Sequence, residues 1–200
     1  MRFSIIIPAH NAEDRITKAL ESIKQQTFTD YELIVVCDSC TDHTEEIAQN
    51  YGAKTAAVNY GRDGLTRNKG LEMAQGEWVL FMDDDDWWLH EFVLEQLDKK
   101  LKENKNIDIL CFSFIFKHWK YASPTGNNGQ RWIAVWNKCW RRQFIRGTRF
   151  PGIYSKSDIY FNERMMSKNP VILDWDMPMY YYNYLRPGSI SEKAMRGVPK

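Results

Sequence analysis

No stretch of this chain reaches the roughly eighteen consecutive apolar residues that a bilayer-spanning helix needs. The opening segment, Met1-Arg2-Phe3-Ser4-Ile5-Ile6-Ile7-Pro8, is interrupted by proline too soon to serve as a secretory signal. The expectation is a cytoplasmic protein, with peripheral contact at the inner face of a membrane left open, whose four cysteines are reduced. There is no internal repeat, no low-complexity tract and hardly any net charge, +1 over 200 residues. That near-neutrality removes the global positive field expected of a nucleic-acid binder. Cysteine is also sparse in pattern. Cys37 and Cys40 form one Cys-x-x-Cys, but Cys111 and Cys139 are single and far apart, so the second half of a zinc site is missing. A redox pair remains the minor reading of Cys37 and Cys40. His43, His90 and His118 have no spacing that would make them a metal cluster.

A local absence is more informative. Between Asp108 and Asp158 there is no acidic residue, while Lys117, Lys120, Arg131, Lys138, Arg141, Arg142, Arg146, Arg149 and Lys156 all fall there. Upstream lies the opposite extreme, Trp78-Val79-Leu80-Phe81-Met82 running straight into Asp83-Asp84-Asp85-Asp86 and then Trp87-Trp88. The apolar run suits a strand buried on both faces. Four aspartates where such a strand ends are costly unless exposed to water or gathered around a cation, and hard oxygen ligands suit Mg²⁺ or Mn²⁺. A solvated acidic turn ahead of a helix is the plainer alternative. The acidic run followed by a basic third suits a ligand carrying phosphates, or an anionic membrane surface near the site.

With 44% hydrophobic residues the chain can bury a core and is expected to form one domain, 1–200. Phe3 to Ile7 reads as a strand stopped at Pro8, and Ile16, Ala19, Leu20 and Ile23 mark one face of a helix. Glu32 to Val36 is a second strand ending at Asp38. Ser39 to Thr44 offers N-cap candidates for a helix through Ile47 and Ala48. Ala53 to Val58 is a third strand, Leu65 to Ala74 a helix closed by Gly76, and Glu91 to Leu101 another helix. Strands alternating with helices imply crossovers and a mostly parallel sheet, whose ligands bind beyond the strands' carboxyl ends. Pro8 to Asn11, Asp38 and Asp83 to Asp86 all fall at such ends, which favours a binding site over a surface turn. The second half is less regular, with β-type runs at Ile107 to Phe116, Trp132 to Trp136 and Val171 to Tyr184, and a loop from Tyr121 to Gln130.

These pieces, in this order, resemble the inverting family 2 glycosyltransferases of the GT-A fold, over almost the whole chain. Ser4-Ile5-Ile6-Ile7-Pro8-Ala9-His10-Asn11-Ala12-Glu13 is similar to the family's opening strand and turn, and Val36-Cys37-Asp38-Ser39-Cys40-Thr41-Asp42 to its Val-Asp-Asp-Gly-Ser-Thr-Asp. Arg67-Asn68-Lys69-Gly70 with Ala74 and Gly76 resembles Ala-Arg-Asn-x-Gly. Met82 to Asp86 resembles Leu-Asp-x-Asp-Asp, the Asp-x-Asp metal motif. Val135-Trp136-Asn137-Lys138 with Arg141-Arg142 looks like a Trp-Asn-Lys segment, and Ser157-Asp158 falls where the family carries Glu-Asp. Tyr181-Tyr182-Asn183 with Arg186-Pro187-Gly188-Ser189-Ile190-Ser191 resembles its closing motif.

The resemblance implies a Rossmann-like α/β domain with a nucleotide-sugar-binding half (1–105) and an aromatic-rich acceptor-binding half (106–200). It implies transfer of a sugar from a nucleoside diphosphate, UDP in the family's habit, to an acceptor hydroxyl in polysaccharide or glycoconjugate synthesis. Asp83, Asp85 and Asp86 would hold Mn²⁺ or Mg²⁺. Pro8, Ala9, His10, Glu13, Asp38, Arg67, Asn68, Asp84 and Asp85 would bind the donor, Asp38 accepting from a uracil-type base. Asp158 would be the general base, with a first-turn helix acid as the structural alternative. Trp136, Asn137 and Lys138 are candidate contacts to a saccharide or lipid-linked acceptor or to phosphate. Other readings are a sugar-nucleotide-binding protein with little turnover, and a nucleotidyltransferase. The latter calls for a glycine-rich loop after the first strand, and Pro8-Ala9-His10-Asn11 has no glycine. Oligomeric state and donor sugar stay open.

Overall fold

The computed structural model describes residues 1–126, 129–154 and 156–184, so the Arg186 to Ser191 motif lies outside the described residues. The first half alternates strictly. Strands β1 (Phe3–Ala9), β2 (Tyr31–Asp38), β3 (Lys54–Val58) and β4 (Trp78–Phe81) are linked by helices α1 (Ile16–Lys24), α2 (Thr44–Asn50) and α3 (Asp63–Met73). These four strands lie side by side in the order β3-β2-β1-β4, all parallel. Then follow β5 (Trp87–Trp88), α4 (Val93–Glu103), β6 (Ile109–Phe116), β7 (Lys120–Ala122), β8 (Lys138–Arg141), α5 (Arg142–Ile145), α6 (Ser157–Met166) and β9 (Ile172–Tyr182).

The expected mostly parallel sheet is therefore mixed. The order continues β4-β8-β6-β9-β5, with β7 against β6. The β4/β8, β8/β6, β6/β7 and β5/β9 pairs are antiparallel, while β6/β9 is parallel. Where the connections stop containing crossover helices, the chain is free to reverse direction. The β6–β7 turn does so with both His118 and Trp119 at positive φ, the backbone twist that suits a tight hairpin. Neither residue is a usual signal for such a turn, which is why the loop expected from Tyr121 gives up its first residues to β7.

Alternation along the strands divides the core between the two faces. Ile5, Ile7, Leu33, Val35 and Leu80 pack with Ala19, Leu20 and Ile23 of α1 and with Leu94, Leu97 and Leu101 of α4. Ile6, Ile34, Val36, Val79 and Phe81 form the opposite layer with Ile145, Phe150, Phe161 and Met165. Because β1, β2 and β4 are covered on both sides, they are apolar almost without interruption.

Two expectations change. Trp132 to Trp136 is not a strand. The Lys138 ammonium gathers the carbonyls of Trp132 and Ala134, each at 2.5 Å, which curls the segment inward. Nor does Gly76 cap α3, which ends with an extended Ala74. Gly76 instead lets β1 and the start of β4 touch, since a Cβ there would lie 2.5 Å from Phe3 C and Ser4 N. Gly76→Ala is therefore expected to destabilise the fold by about 1–3 kcal/mol, read as a lower denaturation midpoint at unchanged slope.

Candidate functional site

The carboxyl ends of β1, β2, β3 and β4 share one rim, and the loops leaving them are stitched together. His10 Nδ1 donates to the Asp38 carbonyl at 2.6 Å, which leaves its Nε2 to the solvent side. Asn11, at positive φ, turns its Oδ1 to the Thr41 amide at 2.8 Å. Glu13 donates its amide to Asp42 and accepts from the His43 amide. Asp42 also accepts from the Thr44 amide and hydroxyl, which begins α2. Pro8 and Ala9 form the floor between these loops, Ala9 being buried.

Asp38 does not face a ligand as expected. Its carboxylate accepts from the amides of Tyr60 (2.8 Å), Gly61 (3.0 Å) and Arg62 (3.1 Å) and from the hydroxyl of Thr66 (2.8 Å), while the Ser39 hydroxyl donates to Asn59 Oδ1 at 2.7 Å. Burial would raise its pKa, but the Gly61 amide, the Thr66 hydroxyl and the Tyr60 and Arg62 amides hold it below the ordinary value. A carboxylate has about four lone-pair directions, and these four donors fill them. Asp38 thus builds the loop into α3 rather than meeting a base directly.

The four aspartates after β4 diverge in role. Asp83 accepts from Arg67 Nη2 at 2.8 Å. Burial and the charges of Asp85, Asp63 and Asp84 push it up to about 7, although Arg67 pulls the other way. Asp84 is gripped by Arg15 through Nε and Nη2, both at 3.0 Å, and Arg15 also donates to the carbonyls of Asn11 and His10. Asp85 stands half-exposed at the rim. Asp86 is fully buried, accepting from the Tyr180 hydroxyl at 2.6 Å and the Asn183 amide at 2.8 Å. Its expected place as a metal ligand gives way to that of an anchor for β9, because both oxygens already have protein donors.

Whether a divalent cation suits this rim can be judged from its charge. Among the described residues Asp83 is paired with Arg67 and Asp84 with Arg15, and those two cations are themselves divided with Asp63 and Asp14. The surplus is negative and carried by hard oxygens, which suits Mg²⁺ or Mn²⁺. No group of three His, Cys, Asp or Glu side chains among the described residues is arranged to enclose a metal. The expected trio Asp83, Asp85 and Asp86 is therefore not assembled as a metal cage, and an ion held at this rim would draw on one or two carboxylates and complete its shell with phosphates and water. Arg67 is buried, yet its Nε has no partner among the described residues.

Asp158 opens the first turn of α6, half-buried, and takes no hydrogen bond from the described residues. It lies within electrostatic reach of Arg67 and Lys138. Its neighbour Ser157 is buried, with Oγ donating to Asp63 Oδ2 at 3.1 Å.

Residues 4–171 match the family model described as Glycosyl transferase family 2. The chain belongs to that family. Its curated relatives include the poly(ribitol-phosphate) beta-N-acetylglucosaminyltransferase TarS of Staphylococcus aureus, 41% identical over 95 residues, 44% of this chain and 17% of the relative. The poly(ribitol-phosphate) beta-glucosyltransferase of Bacillus spizizenii is 37% identical over 115 residues, 53% of this chain and 18% of the relative. The chain thus spans under a fifth of either. Among solved structures, S. aureus TarS 1–349 in complex with UDP-GlcNAc superposes with a TM-score of 0.81 at 26% identity, over 96% of this chain and 61% of that one. A mannosyltransferase from Pyrobaculum calidifontis in complex with GDP-Man and Mn²⁺ shares the fold, with a TM-score of 0.76 at 16% identity, over 98% of this chain and 60% of that one.

Within this glycosyltransferase domain several expected contacts are spent on the scaffold. Asn68 is tied to the Phe150 main chain, donating to its carbonyl at 2.9 Å and accepting from its amide at 2.8 Å, so it is not placed to bind a donor. Trp136 is buried, stacked on Tyr180 with centroids 4.9 Å apart. Asn137 is buried and accepts from Lys138 Nζ. Lys138 is fully buried and spends its ammonium on two carbonyls and Asn137, which leaves it no donor for a phosphate, while Asn137 Nδ2 is buried with no partner among the described residues. Burial drives the Lys138 pKa down to about 8. The Cys37 thiol is buried and pushed up by that burial, and Cys40 likewise, the reverse of a reactive thiolate pair. Arg15, Asp63, Thr66 and Tyr180 were not singled out by the sequence. Only Asp63 and Arg67, four apart on a helix, leave a readable trace.

Asp38→Asn replaces an acceptor with a group that must itself donate, and is expected to cost about 1.5–3 kcal/mol. Because the folded-state pKa of Asp38 lies below 3.8, its contribution is present above that pH and lost as the pH falls through the folded value. The stabilities of the two chains should therefore differ fully above about pH 3.8 and converge only as the pH falls through the lower, folded-state value.

Proposed function

We propose that this chain is the catalytic domain of an inverting glycosyltransferase that uses a UDP-sugar with Mn²⁺ or Mg²⁺. Residues 1–105 would take the donor and 106–200 a saccharide or lipid-linked acceptor. The observation that carries this reading is the unpaired Asp158 carboxylate within electrostatic reach of Arg67, which itself binds the half-exposed Asp83. The likeness to TarS, solved with UDP-GlcNAc, supports a uridine donor.

The chemistry follows from those residues. His10, Glu13 and the Pro8–Ala9 floor line the rim on which a base and ribose rest, with Asp38 shaping the Tyr60–Arg62 wall. Asp83 and Asp85 would hold the cation. When bound, that cation neutralises charge on the leaving diphosphate. Arg67 supports the same charge, its buried Nε having no acceptor among the described residues. Asp158 takes the proton from the acceptor hydroxyl as its oxygen attacks the anomeric carbon, and the bond to the diphosphate oxygen breaks on the opposite face. Inversion is the consequence of that single displacement.

Thermal denaturation with UDP and Mn²⁺ tests the donor half. UDP is expected to raise the midpoint only with the divalent ion present, and Asp85→Ala to abolish the rise. Asp158→Asn should keep the rise while lowering UDP release from UDP-GlcNAc by about 10²–10⁴-fold. Equal turnover by Asp158→Asn would contradict the base assignment. Binding without turnover in the unmodified chain would favour a nucleotide-sugar-binding protein instead.

A further inference from the structure

We propose that Asp63, on α3, is a positioning residue that ties the start of α6, and with it Asp158, to the diphosphate side of the site; this rests on the transferase reading above. Three contacts form a single file. Ser157 Oγ donates to Asp63 Oδ2 at 3.1 Å, Arg67 Nη1 donates to Asp63 Oδ1, and Arg67 Nη2 donates to Asp83 Oδ1 at 2.8 Å. Ser157 is 1% exposed and Arg67 6%, so water does not compete strongly for either. One carboxylate thereby joins the helix that carries the base to the aspartates that face the cation.

The packing leaves this file little freedom. A Cβ on Gly64 would lie 2.6 Å from the Pro151 carbonyl and 2.9 Å from Ser157 Cβ, so α3 and α6 meet almost at backbone distance. The start of α6 also lacks a side-chain cap of its own, since Lys156, at φ 65°, has no side-chain atom that can accept from the first-turn amides. Asp63 brings negative charge to that end from another helix, where the dipole of α6 favours it. The acid that the family pattern puts at 157 is absent here, and Asp63 supplies a carboxylate from across the same contact. Arg67, divided between Asp63 and Asp83, then leaves Asp83 only partly neutralised and open to a cation.

Four variants of the full chain separate the links. Ser157→Ala cuts only the α6 link, and Asp63→Ser cuts both. Ser157→Asp sets a second carboxylate against the first. The double variant Asp63→Ser/Ser157→Asp moves the carboxylate across the contact. The readouts are UDP release from UDP-GlcNAc with Mn²⁺, calorimetric affinity for UDP with Mn²⁺, and hydrogen exchange of the amides at 158–161. Ser157→Ala should lower kcat about tenfold with UDP affinity held within about twofold, as expected when a base is displaced but the donor site is intact. Asp63→Ser should weaken both, because Arg67 then falls wholly to Asp83. The double variant should recover to within about threefold of the parent chain, a non-additivity of directly coupled sites. A double variant no better than its worse single, or Ser157→Ala without effect on kcat, overturns the proposal. Failure of the parent to turn over would sink the transferase reading instead. Asp63 is then judged on exchange alone: each single must speed exchange at 158–161 and the double must restore protection, and additive loss overturns it.

Discussion

Crowding of like charge at the end of β4 is the constraint around which this domain is arranged. Asp83, Asp84, Asp85 and Asp86 follow one another with no spacer, and each of the three whose partners are described is stabilised differently. Arg67 holds Asp83 from α3, Arg15 holds Asp84 from the loop after β1, and Tyr180 of β9 with Asn183 just beyond it holds Asp86. Those partners come from three distant parts of the chain. The repulsion within one turn therefore organises the contacts of the rim, and the negative charge it leaves over is what a cation and a diphosphate would use.

The sheet makes such convergence geometrically cheap. Four parallel strands bring their carboxyl ends to one edge, where the loops after β1, β2, β3 and β4 touch through His10, Asn11, Asp38 and Arg15. The antiparallel half serves a different end. β8 docks on β4 and β6 on β8, which extends the same sheet and lets α6 lie over Phe81 through Phe161, with ring centroids 6.5 Å apart. Asp158 reaches its position because α6 rests on that layer and is clamped against α3 at Gly64.

Much of this was readable from residue order alone. The parallel half follows from apolar runs of strand length separated by amphipathic helices, and the rim from the polar residues at their ends. What could not be read was how polar side chains divide between ligand and scaffold. Asp38, Asn68 and Lys138 look in sequence like binding residues, yet each is consumed by backbone groups that a linear pattern does not reveal: the Tyr60–Arg62 amides, the Phe150 main chain and the Trp132 and Ala134 carbonyls. Arg15 and Tyr180 were invisible for the converse reason, since their partners are 69 and 94 residues away. The β6–β7 hairpin escaped because His118 and Trp119 adopt a turn usually marked by glycine or asparagine.

If the surplus charge at β4 is matched to a cation and a diphosphate together, neither should bind well alone. Manganese resonance measured on the unmodified chain addresses this directly. Addition of protein is predicted to leave the signal of free Mn²⁺ nearly unchanged, and addition of UDP to remove most of it as the ternary complex forms. Equal loss of signal with and without UDP, or none in either case, would contradict the account.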